Sequence, residues 1–132
     1  MELQSNRVEI KADRENIKDF LLNPSNVWFL LPQDKVSDFQ SNNLGCSFKV
    51  QGGITISLLN NGVTDDSILL KSGERTPFPF DLTINLLKTE FGTEGNIAFK
   101  GEVNMFLKMM VEKPLLSLFN YMSEKLKDQF EK

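Results

Sequence analysis

Glu102, Glu112 and Tyr121 are the side chains whose type and position would allow proton transfer, because the chain of 132 residues holds no histidine. Glu112 and Tyr121 lie beside an apolar helical stripe. Burial there would raise a carboxylate's pKa and make it an acid or base near neutrality. The missing imidazole excludes Ser-His-Asp and Cys-His nucleophilic catalysis and every metal site that leans on histidine. No metal and no cofactor are expected. The single cysteine, Cys46, cannot form an internal disulfide, and its place between Leu44 and Phe48 in an apolar alternation reads as a small buried residue rather than a reactive thiol. Gly52-Gly53 and Gly92-Thr93-Glu94-Gly95 fall at turns and lack the spacing of a phosphate-binding loop. The adjacent Glu74 and Arg75 near a strand end read as a solvated turn or as guards of an entrance.

The elements that must position these groups follow from periodicity. From about Asn104 to Lys132 the chain reads as one long amphipathic helix. Leu115, Phe119, Met122, Leu126 and Phe130 recur at helical spacing and place five large apolar side chains on one stripe. At about 1.5 Å per residue this helix is roughly 40 Å long, and strands of about ten residues reach roughly 33 Å, so a curved sheet can wrap it lengthwise. Pro114 removes one helical hydrogen bond and predicts a kink or a restart, which either shapes a pocket mouth or fits the helix to the sheet. Upstream, Leu3 to Lys11 reads as a first strand. Asp13 is a candidate N-cap for a short helix through Ile17, Phe20 and Leu21 that stops at Asn23-Pro24. Ser25 can cap a second short helical segment that Pro32 closes. From Val36 the period changes to two: Leu44, Cys46, Phe48 and Val50, then Ile54, Ile56 and Leu58, each set on one strand face. The next turn falls at Asn61-Gly62 or at Asp65-Asp66. Ile68 to Leu70 continues the sheet, Pro77 and Pro79 mark a strand entry, and Phe80, Leu82, Ile84 and Leu86 alternate cleanly. Ile97, Phe99, Gly101 and Val103 complete the last strand before the helix.

Apolar residues make up 40% and charged residues 25% of the chain, a globular composition that fits one domain over residues 1–132. The net charge of -3, from 15 basic and 18 acidic residues, offers no basic stripe for phosphates, so nucleic acid is not an expected partner. No apolar run is long enough to span a bilayer, and the first residues lack the layout of an export signal, so a cytoplasmic protein is expected. Oligomeric state is not legible.

The order is strand, two short helices, about six antiparallel strands and a long helix. In this layout the chain resembles the START-like or SRPBCC superfamily, which includes birch-pollen-allergen-like proteins and polyketide cyclase and dehydrase relatives. The resemblance rests on Val8-Glu9-Ile10-Lys11-Ala12-Asp13 leading through Ile17 and Phe20-Leu21 to Asn23-Pro24, on Leu31-Pro32, on Pro77-Phe78-Pro79-Phe80 and on Lys113-Pro114-Leu115-Leu116. It implies an α+β helix-grip fold, a curved antiparallel sheet of about seven strands wrapped around the C-terminal helix. It also implies a hollow between sheet and helix that holds a small hydrophobic molecule resembling a lipid, polyketide or sterol. The side chains expected to line that hollow are Trp28, Phe48, Ile56, Leu82, Phe99, Met109, Glu112, Leu116 and Phe119. Trp28 reads either as a core anchor or as a ligand platform. The eleven phenylalanines either line the hollow or plug it. Three functions stay open: noncatalytic binding or carriage of the ligand, a cyclase, dehydrase or hydrolase using an inward carboxylate, and an interaction module with a filled interior.

Overall fold

Alternating apolar residues build one face of a curved antiparallel sheet, and the long C-terminal helix lies in its concavity. The computed structural model describes residues 1–50 and 53–131; Gly52, read above as part of a turn, and Lys132, read as the helix end, lie outside them. The strands are β1 (Glu2–Gln4), β2 (Val8–Ile10), β3 (Val36–Ser41), β4 (Gly45–Val50), β5 (Ile54–Thr64), β6 (Ser67–Ser72), β7 (Phe80–Lys88) and β8 (Thr93–Gly101). Two helical segments, α1 (Arg14–Leu22) and a 3-10 helix (Pro24–Leu30), separate β2 from β3, and α2 (Met105–Gln129) ends the fold. The eight-stranded sheet runs β1-β8-β7-β6-β5-β4-β3, with β2 also paired to β8. Among the described residues β1 and β3, the two ends of that order, do not pair with each other, so the sheet is open.

The count is eight rather than about seven because the expected first strand is split. Gln4 pairs with Ala98 and Val8 with Gly95, so four steps along the first segment face three along β8 and one residue must loop out. Ser5 sits in this gap. Its hydroxyl accepts the Ile97 N–H at 2.8 Å and meets Ser123 Oγ of α2 at 2.8 Å. Beside it the Asn6 N–H donates to Asn120 Oδ1 at 2.7 Å. The break thus trades ladder bonds for side-chain bonds that pin α2 to the sheet. Ser5→Ala would leave the buried Ile97 N–H without that acceptor, and a loss of about 1–3 kcal/mol is expected in a urea melt; an unchanged midpoint would show that water replaces the hydroxyl.

The other elements match their expected types with shifted boundaries. Asn23, rather than Ser25, caps the 3-10 helix, its Oδ1 accepting the Ser25 N–H at 3.1 Å. Asp13 is the N-cap residue of α1 but makes no side-chain capping bond. The β5–β6 turn falls at Asp65-Asp66, and Asn61-Gly62 instead lies at a register shift inside β5, where Gly62 takes φ +116°. The β7–β8 turn is tighter than expected: the Thr89 N–H donates to the Gly92 carbonyl at 2.9 Å, so Thr93 and Gly95 already belong to β8. The last strand ends at Gly101, two residues before Val103. Asn104 caps α2 through a 2.8 Å bond from the Leu107 N–H.

Pro114 lies within α2, which runs continuously from Met105 to Gln129. It lacks the N–H that the Met110 carbonyl would otherwise accept, and Met110 is exposed, so water can serve instead. Of the expected stripe, Leu115, Phe119, Met122 and Leu126 are buried and Phe130 is half-buried against the edge of Phe20, with ring centroids 5.8 Å apart. Among the described residues no helix is long and apolar enough to cross a membrane.

Candidate functional site

The space between sheet and helix is packed with aliphatic side chains and a group of four phenylalanine rings. The Phe119 ring from α2 lies 5.4 Å from Phe99 on β8, Phe99 lies 5.1 Å from Phe80 on β7, and Phe78 closes the group at 6.3 Å from Phe99. These four rings span the gap that a straight helix leaves against a bowed sheet. Deeper toward α1, a residual void of about 20 Å³ remains among Leu21, Val27, Leu30, Cys46, Leu58, Leu82 and Met122. That is space for about one water and no organic ligand.

One of the open spaces lies at the edge of this packed interior. A cleft of about 440 Å³ separates the middle of α2 from the turn after the 3-10 helix and the end of β4. Pro32, Val50, Pro114 and Leu118 give it apolar walls; Lys35, Ser117 and Tyr121 bring an ammonium, a hydroxyl and a phenol. Two prolines shape it, since Pro32 closes the 3-10 helix and Pro114 presents a ring and no N–H on the cleft side of α2. No carboxylate is among its lining residues. Lys125 Nζ stands 5.6 Å from the Tyr121 ring centroid, a cation–π contact that restrains the ring.

The nine residues expected to line the hollow divide by position. Phe48, Ile56, Leu82, Phe99 and Phe119 are all buried and belong to the common core between sheet and α2. Leu116 packs half-buried against that core, and Trp28 does the same with its indole against Phe39, ring centroids 5.5 Å apart. Glu112 is turned to the surface, where it pairs with Lys108 at 3.7 Å. Met109 is 80% exposed on the outer side of α2. Glu112 and Tyr121 therefore do not converge on one enclosed point. Among the described residues no group of three or more Cys, Asp or Glu side chains comes together as a metal site would require.

Cleft residues Pro32, Pro114 and Tyr121 carry sequence signals, as a helix stop, a helix-interior proline and a phenol near the stripe. Lys35 and Ser117 carry none, because what brings them together is the path of the turn after Pro32.

No family model matches the sequence, and comparison with curated protein sequences finds no match. Solved structures do match over nearly the whole chain. A protein from Thermus thermophilus superposes with a TM-score of 0.77 at 12% identity, over 98% of this chain and 97% of that one. A START superfamily protein from Mycobacterium smegmatis gives 0.70 at 12% identity, over 98% and 97%. A norcoclaurine synthase point mutant from Thalictrum flavum, in complex with a transition-state analogue, gives 0.71 at 13% identity, over 98% and 93%. Eight antiparallel strands curved around a long C-terminal helix, matched end to end by these structures, give this chain the START-like helix-grip fold.

Proposed function

We propose that this protein binds a small, largely hydrophobic molecule, without chemical conversion, in the cleft between α2 and the Pro32–Lys35 turn. The carrying observation is the cleft of about 440 Å³ with four apolar walls and three polar groups at Lys35, Ser117 and Tyr121. This volume lies within the roughly 300–1,000 Å³ of small-molecule pockets, and the mixture is the usual one: apolar area for affinity, a few polar groups for orientation. An amphipathic ligand with an acidic or hydroxylated head fits best, its head toward the Lys35 ammonium and its tail along Val50 and Leu118. Phe48, two residues before Val50 on the same face of β4, and Phe119 and Leu116 of α2 then form the packed ground behind the ligand. A lipid-, sterol- or polyketide-like cargo in the cytoplasm is consistent with this chemistry. The catalytic alternative draws on the norcoclaurine synthase neighbour, but the ionisable groups in the cleft are Lys35 and Tyr121, with no carboxylate to work as acid or base.

The test uses 8-anilinonaphthalene-1-sulfonate, an aromatic anion that fluoresces when it leaves water. It is expected to bind the native protein saturably, and Ser117→Trp, which places an indole in the cleft from an exposed helix position, is expected to weaken binding at least about tenfold, a shift of about 1.4 kcal/mol. Equal binding by the variant, with an unchanged melting temperature, would overturn the assignment of the ligand to this cleft.

A further inference from the structure

The opposite face of the sheet carries a recess that the helix-side cleft does not use. Cys46 and Phe48 on β4 and Ile56 and Leu58 on β5 point into the core, so Ser47 and Ser57, which alternate with them, point outward. These two serines are directly paired across β4 and β5. Outward-facing residues are normally solvated, yet Ser47 is only 9% exposed and Ser57 only 8%. The segment after β6 runs on beside Ser57, one step past the Leu58–Ser72 pair, and then turns. Its Gly73 N–H donates to the Ser57 carbonyl at 3.0 Å, and Thr76 Oγ1 accepts the Ser57 N–H at 2.8 Å. A Cβ at Gly73 would meet Ser57 Oγ, so a larger residue here requires the Ser57 side chain to move. Among the described residues no fully buried side-chain nitrogen or oxygen lacks a hydrogen-bond partner, so neither serine hydroxyl is a sealed orphan. Both instead line an outer recess of about 460 Å³.

The walls supply complementary polar groups. Gln40 and Arg75 border this recess and also an adjoining groove of about 340 Å³ that reaches Asp38 and Lys49. Glu74 stands beside Arg75, and Leu59 adds one apolar surface. Asp38, at the register shift of β3, holds φ +56°, a left-handed conformation uncommon for a residue with a side chain. The cations Arg75 and Lys49 are balanced by Glu74 and Asp38, so the combined recess carries no net charge to draw in an ion.

We propose that this outer recess binds a neutral polyhydroxylated molecule of monosaccharide to disaccharide size. Two serine hydroxyls and a glutamine side chain each donate and accept, and the neighbouring Arg75 guanidinium and Glu74 carboxylate offer a donor and an acceptor to vicinal hydroxyls of such a ligand. Leu59 meets the C–H surface of the ring. The ligand replaces water at the serine hydroxyls that line the recess.

The test is a titration of the isotopically labelled full-length protein followed by amide NMR, with D-glucose, maltose and myo-inositol as probes and inorganic phosphate as the ionic control. At least one polyol is expected to shift the amides of Ser47, Ser57, Gly73 and Arg75 saturably, with half-saturation in the millimolar range and below about 100 mM. Ser47→Ala and Ser57→Ala each remove one hydroxyl at the recess wall and leave the strand backbone intact, so both are expected to fold normally and to weaken that binding about tenfold. Binding of the naphthalene sulfonate at α2 should stay unchanged in both variants, which separates this site from the proposed cleft. No saturable response to any polyol would overturn the proposal, as would a response to phosphate alone or equal affinity in the serine variants.

Discussion

Phe119→Ala is expected to lower the unfolding free energy by about 3 to 5 kcal/mol. The ring is 4% exposed and lies 5.4 Å from Phe99, which in turn stacks near Phe80 and Phe78. Truncation removes the transfer energy of a phenyl group and leaves a space bounded by rings anchored on two paired strands, which cannot close around it. β7 and β8 are paired in register from Phe80 and Gly101 to Lys88 and Thr93, so their side chains move only if the ladder moves. Equilibrium urea denaturation gives the value directly, provided two probes report one transition. A loss under about 1.5 kcal/mol would mean that water already shares this space and that the interior is not plugged. Met109→Ala on the same helix serves as the contrast. At 80% exposure it is expected to change stability by no more than about 0.5 kcal/mol.

That contrast shows how far the sequence could be read. Met109, Leu116 and Phe119 share a helical spacing, so periodicity alone places them on one face. The face that is buried runs through Val111, Leu115, Leu118, Phe119, Met122 and Leu126 and leaves Met109 out. The first turns of α2 carry Met105, Phe106, Met109 and Met110 exposed. Apolar character there does not report burial, because residues near the helix start have sheet on one side only. Farther along, where the sheet wraps α2 and the stripe from Leu115 to Leu126 is covered, periodicity and burial agree. The split first strand was invisible for a related reason. Val8, Ile10 and Leu3 are all apolar and all buried, and the extra residue between Gln4 and Val8 is located by the pairing with β8. Strand types and the long helix were legible because each rests on local periodicity, and the fold was what the resemblance of their order to the START-like superfamily implied. The cleft was not, since Lys35 and Ser117 are adjacent only through a loop path that periodicity does not encode. The outer recess was half legible: Glu74 and Arg75 stood out as charges at a strand end, while Ser47 and Ser57 passed as ordinary polar positions of a sheet.

Cys46 is expected to react with a disulfide reagent at pH 8 at least about fifty-fold more slowly in the native protein than in the chain unfolded by urea. Burial pushes its thiol up from the ordinary 9.0 to about 12, because the thiolate would sit among apolar side chains without water. Three pH units shrink the thiolate fraction about a thousandfold at this pH. A more basic thiolate is the better nucleophile and recovers about twentyfold of that, leaving roughly fifty-fold before any steric occlusion is counted. The same displacement has a sign in stability. Below pH 9.0 the thiol is protonated whether the chain is folded or unfolded, and it contributes no pH dependence. Between 9.0 and about 12 the unfolded chain releases this proton while the folded chain retains it, so stability falls by about 1.4 kcal/mol per unit from this group alone. Other groups of the chain titrate in alkali as well, so the measurement is a difference. The stability gap between the wild type and Cys46→Ala should be constant below pH 9.0 and shrink above it, as the wild type loses its advantage. A gap independent of pH, or a native reaction rate within a few-fold of the unfolded one, would mean that the strand carrying Cys46 opens readily. The wall between the helix-side core and the outer recess, which share β4, would then be too mobile to hold two separate sites.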